Sequence, residues 1–176
     1  WASLPCKPWS RRQTLNAHRL GPDFRRRLQD MREESLVLID SFLDLAVLVM
    51  KSGGSVSFEW PAYATGWKIP QLEEFFRANG FQDAVFHGCA LGLESQGKPV
   101  HKPWRIKTNC RHLANIMSKH ICQCPPGSHT PCQGAITSKS ENYTPQMARA
   151  VIKAFSEAHP GDQQTRESTT PRDGQA

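Results

Sequence analysis

The chain has 176 residues, with 22 Lys and Arg against 16 Asp and Glu, a formal net charge of +6 and a pI near 9.2. That length fits about one domain with a real core, and the basic balance suits a polyanionic partner as readily as a solvated surface. The long apolar run Leu36 to Met50 is too short for a membrane span and carries Asp40 and Asp44, which argues for a core helix and against a membrane partner.

Trp1 to Leu4 reads as a short buried strand, and Pro5 to Gly21 as a long polar, basic loop of the kind that often carries function. The spacing predicts one long helix over Pro22 to Lys51. Phe24, Leu28, Met31, Leu38, Phe42, Leu45 and Val49 fall on alternating steps of three and four, with Ser35 as the gap. Its second half is apolar nearly all round, so it should be sandwiched, and Ser52-Gly53-Gly54 ends it. Ser55 to Trp60 alternates as a strand, and a helix opens at Pro70 and closes at Asn79-Gly80. Phe81 to Gly88 and Trp104 to Thr108 are further strands. Asn109 is placed to cap a helix carrying Leu113, Ile116 and Met117. A cysteine- and proline-rich loop spans Ile121 to Gly134. Thr144-Pro145 then opens a last helix expected to pack Met147, Val151, Ile152 and Phe155. Residues 158–176 read as a disordered tail, leaving 1–157 as the domain.

This order predicts an α/β fold with a mostly parallel sheet and flanking helices. Ligands of such sheets sit beyond the carboxyl ends of the strands, where Cys6 and Glu59 would stand. Cysteine usage in a chain that is not a small disulfide scaffold favours reduced thiols, in the nucleus or cytoplasm.

The stretch "PCKPWS", residues 5–10, resembles the Pro-Cys-x-Pro-Phe-Ser loop of DNA cytosine-5 methyltransferases. "FEWP" stands where that family has its Glu-Asn-Val, and "PWRIKT" is similar to its strand with two alternating arginines. The resemblance implies a partial Rossmann-like, methyltransferase-type sheet with Cys6 as nucleophile toward a flipped-out cytosine. It further implies Glu59 as the base-contacting acid and Arg105 as an orienting group. Trp60, Pro61 and Lys107 depart from the family pattern. Lys7, Ser10, Arg11, Arg12 and Lys107 are candidate contacts to DNA, with RNA as the alternative. Arg11 and Arg12 are also placed to favour a Cys6 thiolate. The glycine-rich turn that would seat S-adenosylmethionine has no counterpart, because Ser52-Gly53-Gly54-Ser55 follows a helix and precedes a strand. The expectation is therefore a C-terminal part whose N-terminal, cofactor-binding half is missing, an enzyme only if an upstream half completes it. "GGSVSFEWP", "HGCALGL", "KPWRIKTN" and "HTPCQG" also look like uncharacterised methyltransferase-like segments in mobile-element and algal open reading frames, which implies a degenerate relative.

A separate signal lies in His120, Cys122, Cys124, His129 and Cys132. Four of these, with Cys122, Cys124, His129 and Cys132 as the set, can surround zinc tetrahedrally, although Cys122-x-Cys124 is tighter than the usual spacing. Three readings follow: a fragment of a DNA cytosine methyltransferase-like domain, a non-enzymatic nucleic-acid-binding module of a mobile-element-type polyprotein, or a zinc-stapled structural segment.

Overall fold

The structure is a computed structural model that describes residues 1–134, 136–137 and 140–159. Three strands, β1 (Ser57–Pro61), β2 (Gln82–His87) and β5 (Pro103–Thr108), form a sheet in the order β1-β5-β2. A small separate ribbon pairs β3 (Glu94–Ser95) with β4 (Lys98–Pro99). The helices are α1 (Arg11–Arg19), α2 (Gly21–Lys51), α3 (Pro70–Ala78), α4 (Arg111–Met117) and α5 (Pro145–Ala158). None of the described helices is long and apolar enough to cross a membrane.

The mostly parallel, Rossmann-like sheet expected from the element order is not what forms. β5 runs antiparallel to both β1 and β2. The reason is topological. α3 does link two strands that point the same way, but β5 inserts between them. The link from β2 to β5 contains the short β3–β4 ribbon in place of a crossover helix, so β5 enters reversed. Among the described residues, parallel contact is confined to isolated bridges, Ala2 with Phe58 and Val100 with Thr130.

The register divides the sheet into two faces. Phe58, Trp60, Arg105, Lys107 and Asp83 share one, while Glu59, Trp104, Ile106, Ala84 and Phe86 share the other. The first face packs under α2 and α3 through an aromatic cluster. Phe58 meets Phe42 at 4.8 Å, Trp60 at 4.9 Å and Trp67 at 5.7 Å between ring centroids. Gly66 is required there, since a Cβ would come within 2.3 Å of the Trp60 ring. The second face packs Trp104, Ile106 and Phe86 against Leu113, Met117 and Met147 of α4 and α5.

The helix termini follow local chemistry. Pro70 and Pro145 open α3 and α5, where a missing N–H costs nothing, and the Thr144 hydroxyl accepts the Met147 N–H at 3.0 Å. Asn109 does not cap α4; its side chain accepts the Val56 N–H at 2.7 Å, and Cys110 takes the cap position. The expected loop from Pro5 to Gly21 instead holds a 3₁₀ turn (Lys7–Trp9) and α1. Arg, Gln, Leu and Ala are good helix formers, and α1 lies on α2 without burying a residue. α2 buries the stripe Leu28, Ser35, Ile39, Phe42 and Ala46, while Leu38, Leu45 and Val49 stay exposed, so its second half is covered on one side only. In α5, Met147 and Ala154 are buried, whereas Ile152 and Phe155 are exposed. The tail expected over 158–176 overlaps the last residue of α5, and from residue 160 it lies outside the described residues.

Candidate functional site

The Pro-Cys segment is held from several sides. The backbone of Ala2 bonds to β1, its N–H to the Ser57 carbonyl at 2.7 Å and its carbonyl to the Glu59 N–H at 2.9 Å. Trp60 donates its indole N–H to the Leu4 carbonyl at 2.7 Å. Pro8 presets the 3₁₀ turn, and the Trp9 N–H reaches back to the Cys6 carbonyl at 3.0 Å. The Trp9 indole N–H then bonds the buried Ser35 hydroxyl at 2.8 Å, which explains the polar gap in the apolar stripe of α2.

These restraints bring Cys6 and Glu59 to one cleft of about 370 Å³, with Ser3, Lys7, Lys102 and Glu141 among its walls. Glu59 is only 3 % exposed. Its Oε2 accepts from the Tyr143 hydroxyl at 2.5 Å and from Ser3 Oγ at 2.9 Å, whereas Oε1 has no partner among the described residues. Burial raises the Glu59 pKa above its ordinary 4.5, against the lowering effect of Tyr143, Ser3 and Lys102. With Oε2 occupied by two donors, Oε1 is the oxygen open to a proton when the carboxyl takes one up. Burial likewise raises the Cys6 pKa, as do Glu59 and Glu141. The cation that opposes this shift is Lys102, not Arg11 or Arg12. Lys102 is itself fixed, bonding the Ser140 carbonyl at 2.6 Å and lying 5.2 Å from the Trp104 ring centroid.

The raised acid has a consequence for stability. A carboxyl that holds its proton more tightly when folded favours the fold at low pH, and that contribution declines as pH rises through the raised value. We expect Glu59→Gln to remove this decline. Its melting temperature relative to wild type should climb in calorimetry as the pH is raised above the ordinary carboxyl value of 4.5, whereas a constant difference would contradict the assignment.

The remaining nucleic-acid candidates fall into two groups. Lys7, Arg11 and Arg12 are exposed, Lys7 on the cleft itself and the arginines on α1. The Arg11 guanidinium lies over the exposed Tyr63 ring, 4.9 Å from its centroid. Ser10 occupies the N-terminal flank of α1 without a side-chain cap bond. Arg25, Arg26 and Arg27 of α2 extend this basic surface, with Arg26 paired to Asp23 at 2.8 Å. Arg105 and Lys107, by contrast, sit on the opposite sheet face from Glu59. Both flank Asp83, at 3.4 Å and 3.1 Å, and they line a second cleft of about 630 Å³ that also holds Glu73, Glu74 and Arg77. The structure therefore brings Cys6, Lys7 and Glu59 together and places Arg105 and Lys107 elsewhere.

A second cluster forms at the far end of β2. Cys89, in the 3₁₀ turn Gly88–Leu91, joins Cys122, Cys124 and His129, their ligand atoms all within 4.8 Å of one another. This group can hold a metal ion. Cys122 Sγ is 3.3 Å from His129 Nε2, and the Cys124 N–H points to the same sulfur at 3.4 Å, which lowers the Cys122 pKa. Burial and the neighbouring thiols push Cys89 up to about 12. Cys132 is not in the cluster: its sulfur lies 3.4 Å from Ser140 Oγ, and the residue packs against the core that holds Trp104 and Met117. His120 contributes its carbonyl, which accepts the His87 N–H at 2.8 Å.

Sequence reasoning missed Cys89, Lys102, Ser3 and Tyr143. Cys89 and Lys102 lie inside the quoted "HGCALGL" and "KPWRIKTN", so their presence was visible and only their neighbours were not. Compared with known proteins, the chain matches no family model, no curated protein and no solved structure.

Proposed function

We propose that the Cys6–Glu59 cleft receives a pyrimidine base extruded from a nucleic-acid strand, and that the chain acts as a nucleic-acid-binding module of cytosine-methyltransferase-like kind. The observation that carries this reading is the convergence of a thiol, a buried acid with one oxygen unpartnered among the described residues and a fixed lysine on one cleft, beside exposed Lys7, Arg11 and Arg12. A protonated carboxyl offers a ring nitrogen a donor, and Lys102 offers a carbonyl oxygen another. The basic side chains supply the sequence-independent grip on phosphates. The antiparallel sheet removes the fold-level part of the resemblance, so the proposal rests on the residues of the cleft alone.

Binding fits the site better than turnover. Burial keeps Cys6 as thiol, and the thiolate is the nucleophile. S-adenosylmethionine, the methyl donor that the resemblance implies, does not fit these residues. Gly53 takes φ +77° to end α2, and a Cβ on Gly54 would meet Val49 at 2.7 Å, so the glycine pair serves a helix stop. For the Cys/His cluster we assign zinc, because three sulfurs and one imidazole are the ligands that ion favours in closed sites.

The test compares DNA duplexes that differ at one position, a cytosine opposite an abasic site or opposite guanine. An unpaired base spares the protein a few kcal/mol of extrusion, so wild type should bind the first about 10- to 100-fold more tightly. Cys6→Ala combined with Glu59→Gln should lose that preference while keeping its salt dependence. Equal wild-type affinity for both duplexes would end the proposal.

A further inference from the structure

The cluster beyond β2 allows its ligands to be assigned. We propose that the zinc is held by Cys89, Cys122, Cys124 and His129, with His87 as a positioning residue that does not touch the metal; this rests on the zinc assignment above. In a tetrahedral site with Zn–S near 2.3 Å and Zn–N of about 2.0–2.1 Å, sulfur and nitrogen stand about 3.6 Å apart. The observed 3.3 Å from Cys122 Sγ to His129 Nε2 needs only a few tenths of an ångström of adjustment. Neither Cys132, turned toward Ser140, nor His120 takes part.

A competing set, His87, His101 and Cys122, is also close enough to hold an ion. Hydrogen bonding decides against it. His87 Nδ1 accepts the Cys122 N–H at 2.9 Å. A neutral imidazole that accepts at Nδ1 carries its proton on Nε2 and has no lone pair left there for a metal. His87 thus fixes the backbone of a ligand residue. The exposed His101 meets both His87 and His129 edge to face, with ring centroids 4.6 Å and 5.2 Å away. Four protein ligands leave no open position, which marks the site as structural. The metal would clasp the loop after α4 to the turn after β2, next to the point where the His87 N–H at the end of β2 already bonds the His120 carbonyl at 2.8 Å.

The experiment loads the reduced chain with zinc alone and measures metal content after gel filtration, then replaces zinc by cobalt for its absorption spectrum. Wild type should hold one ion per chain, and X-ray absorption should count three sulfurs and one nitrogen. Cys132→Ser should match wild type. Cys89→Ser should lose a sulfur-to-cobalt band and weaken zinc binding well beyond the ~10–100-fold typical of losing an outer partner. His87→Ala should fall within that smaller range and leave the cobalt spectrum unchanged in form. Loss of zinc in Cys132→Ser with retention in Cys89→Ser would overturn the assignment, as would a wild-type count other than three sulfurs. Wild type that binds no zinc defeats the metal reading itself. Should Cys89→Ser fail to fold, the wild-type ligand count still decides.

Discussion

Replacing Trp60 by alanine should cost about 3–5 kcal/mol of stability, the range for removing a buried large aromatic side chain, and should release the Pro-Cys segment. Trp60 is fully buried, packs between Phe58 and Trp67, and lies so close to Gly66 that no Cβ fits there. The indole also donates to the Leu4 carbonyl, two residues before Cys6. Trp60→Ala therefore removes core volume and one anchor of the cleft together. Trp60→Phe keeps most of the ring and loses the N–H, so it should cost less, with about 0.5–1.5 kcal/mol from the hydrogen bond. Urea denaturation with an unchanged slope measures both effects. Thiol labelling reads the local one, since Cys6 should label faster in each variant in proportion to the loss of restraint. A loss below about 1 kcal/mol in Trp60→Ala, smaller than the packing terms at stake, would show that the ring does not organise this face.

Much of the chain was legible because its punctuation is chemical. Pro70 and Pro145 at helix starts, and Gly53 and Gly80 at positive φ beyond helix ends, fix boundaries by backbone preference alone. The direction of β5 was not legible. A strand's alternation is the same whichever way it runs, and only the short ribbon in place of a crossover helix betrays the reversal. The exposed Leu45 and Val49 show a related limit, since periodicity marks apolar stripes without saying how many of them find a partner.

The cleft was legible in part. Cys6 and Glu59 were singled out by residue type and position, and both reach the same cavity. Arg105 was not separable from Glu59 by sequence, because the face each side chain takes depends on a register that only pairing across β1 and β5 defines. Lys102, Tyr143 and Cys89 act through contacts distant in sequence: Tyr143 on Glu59, Lys102 on Ser140, Cys89 on Cys122. Spacing rules examine neighbours in the chain and are blind to such pairs.

An extruded pyrimidine should label the walls of one cleft and not the other. A base seated between Cys6 and Glu59 would place its ring against Trp104 and the segment from Ser3 to Lys7. Its phosphates would run toward Arg11, Arg12 and the basic start of α2. The rival seat is the mixed-charge cleft on the opposite sheet face, where Trp67 lies beneath Arg105 with 5.6 Å from guanidinium to ring centroid. Light breaks the carbon–iodine bond of 5-iodocytosine and couples the base to electron-rich side chains nearby, so the linked peptide reports which seat is used without requiring turnover. The decisive measurement is to irradiate the wild-type complex with a duplex carrying 5-iodocytosine opposite an abasic site, then map the linked peptide by mass spectrometry. Cross-links at Cys6 or Trp104, competed away by the same duplex bearing unmodified cytosine, are the predicted result. Cross-links confined to Trp67 or to the outer faces of α1 and α2, with none at Cys6 or Trp104, would contradict it.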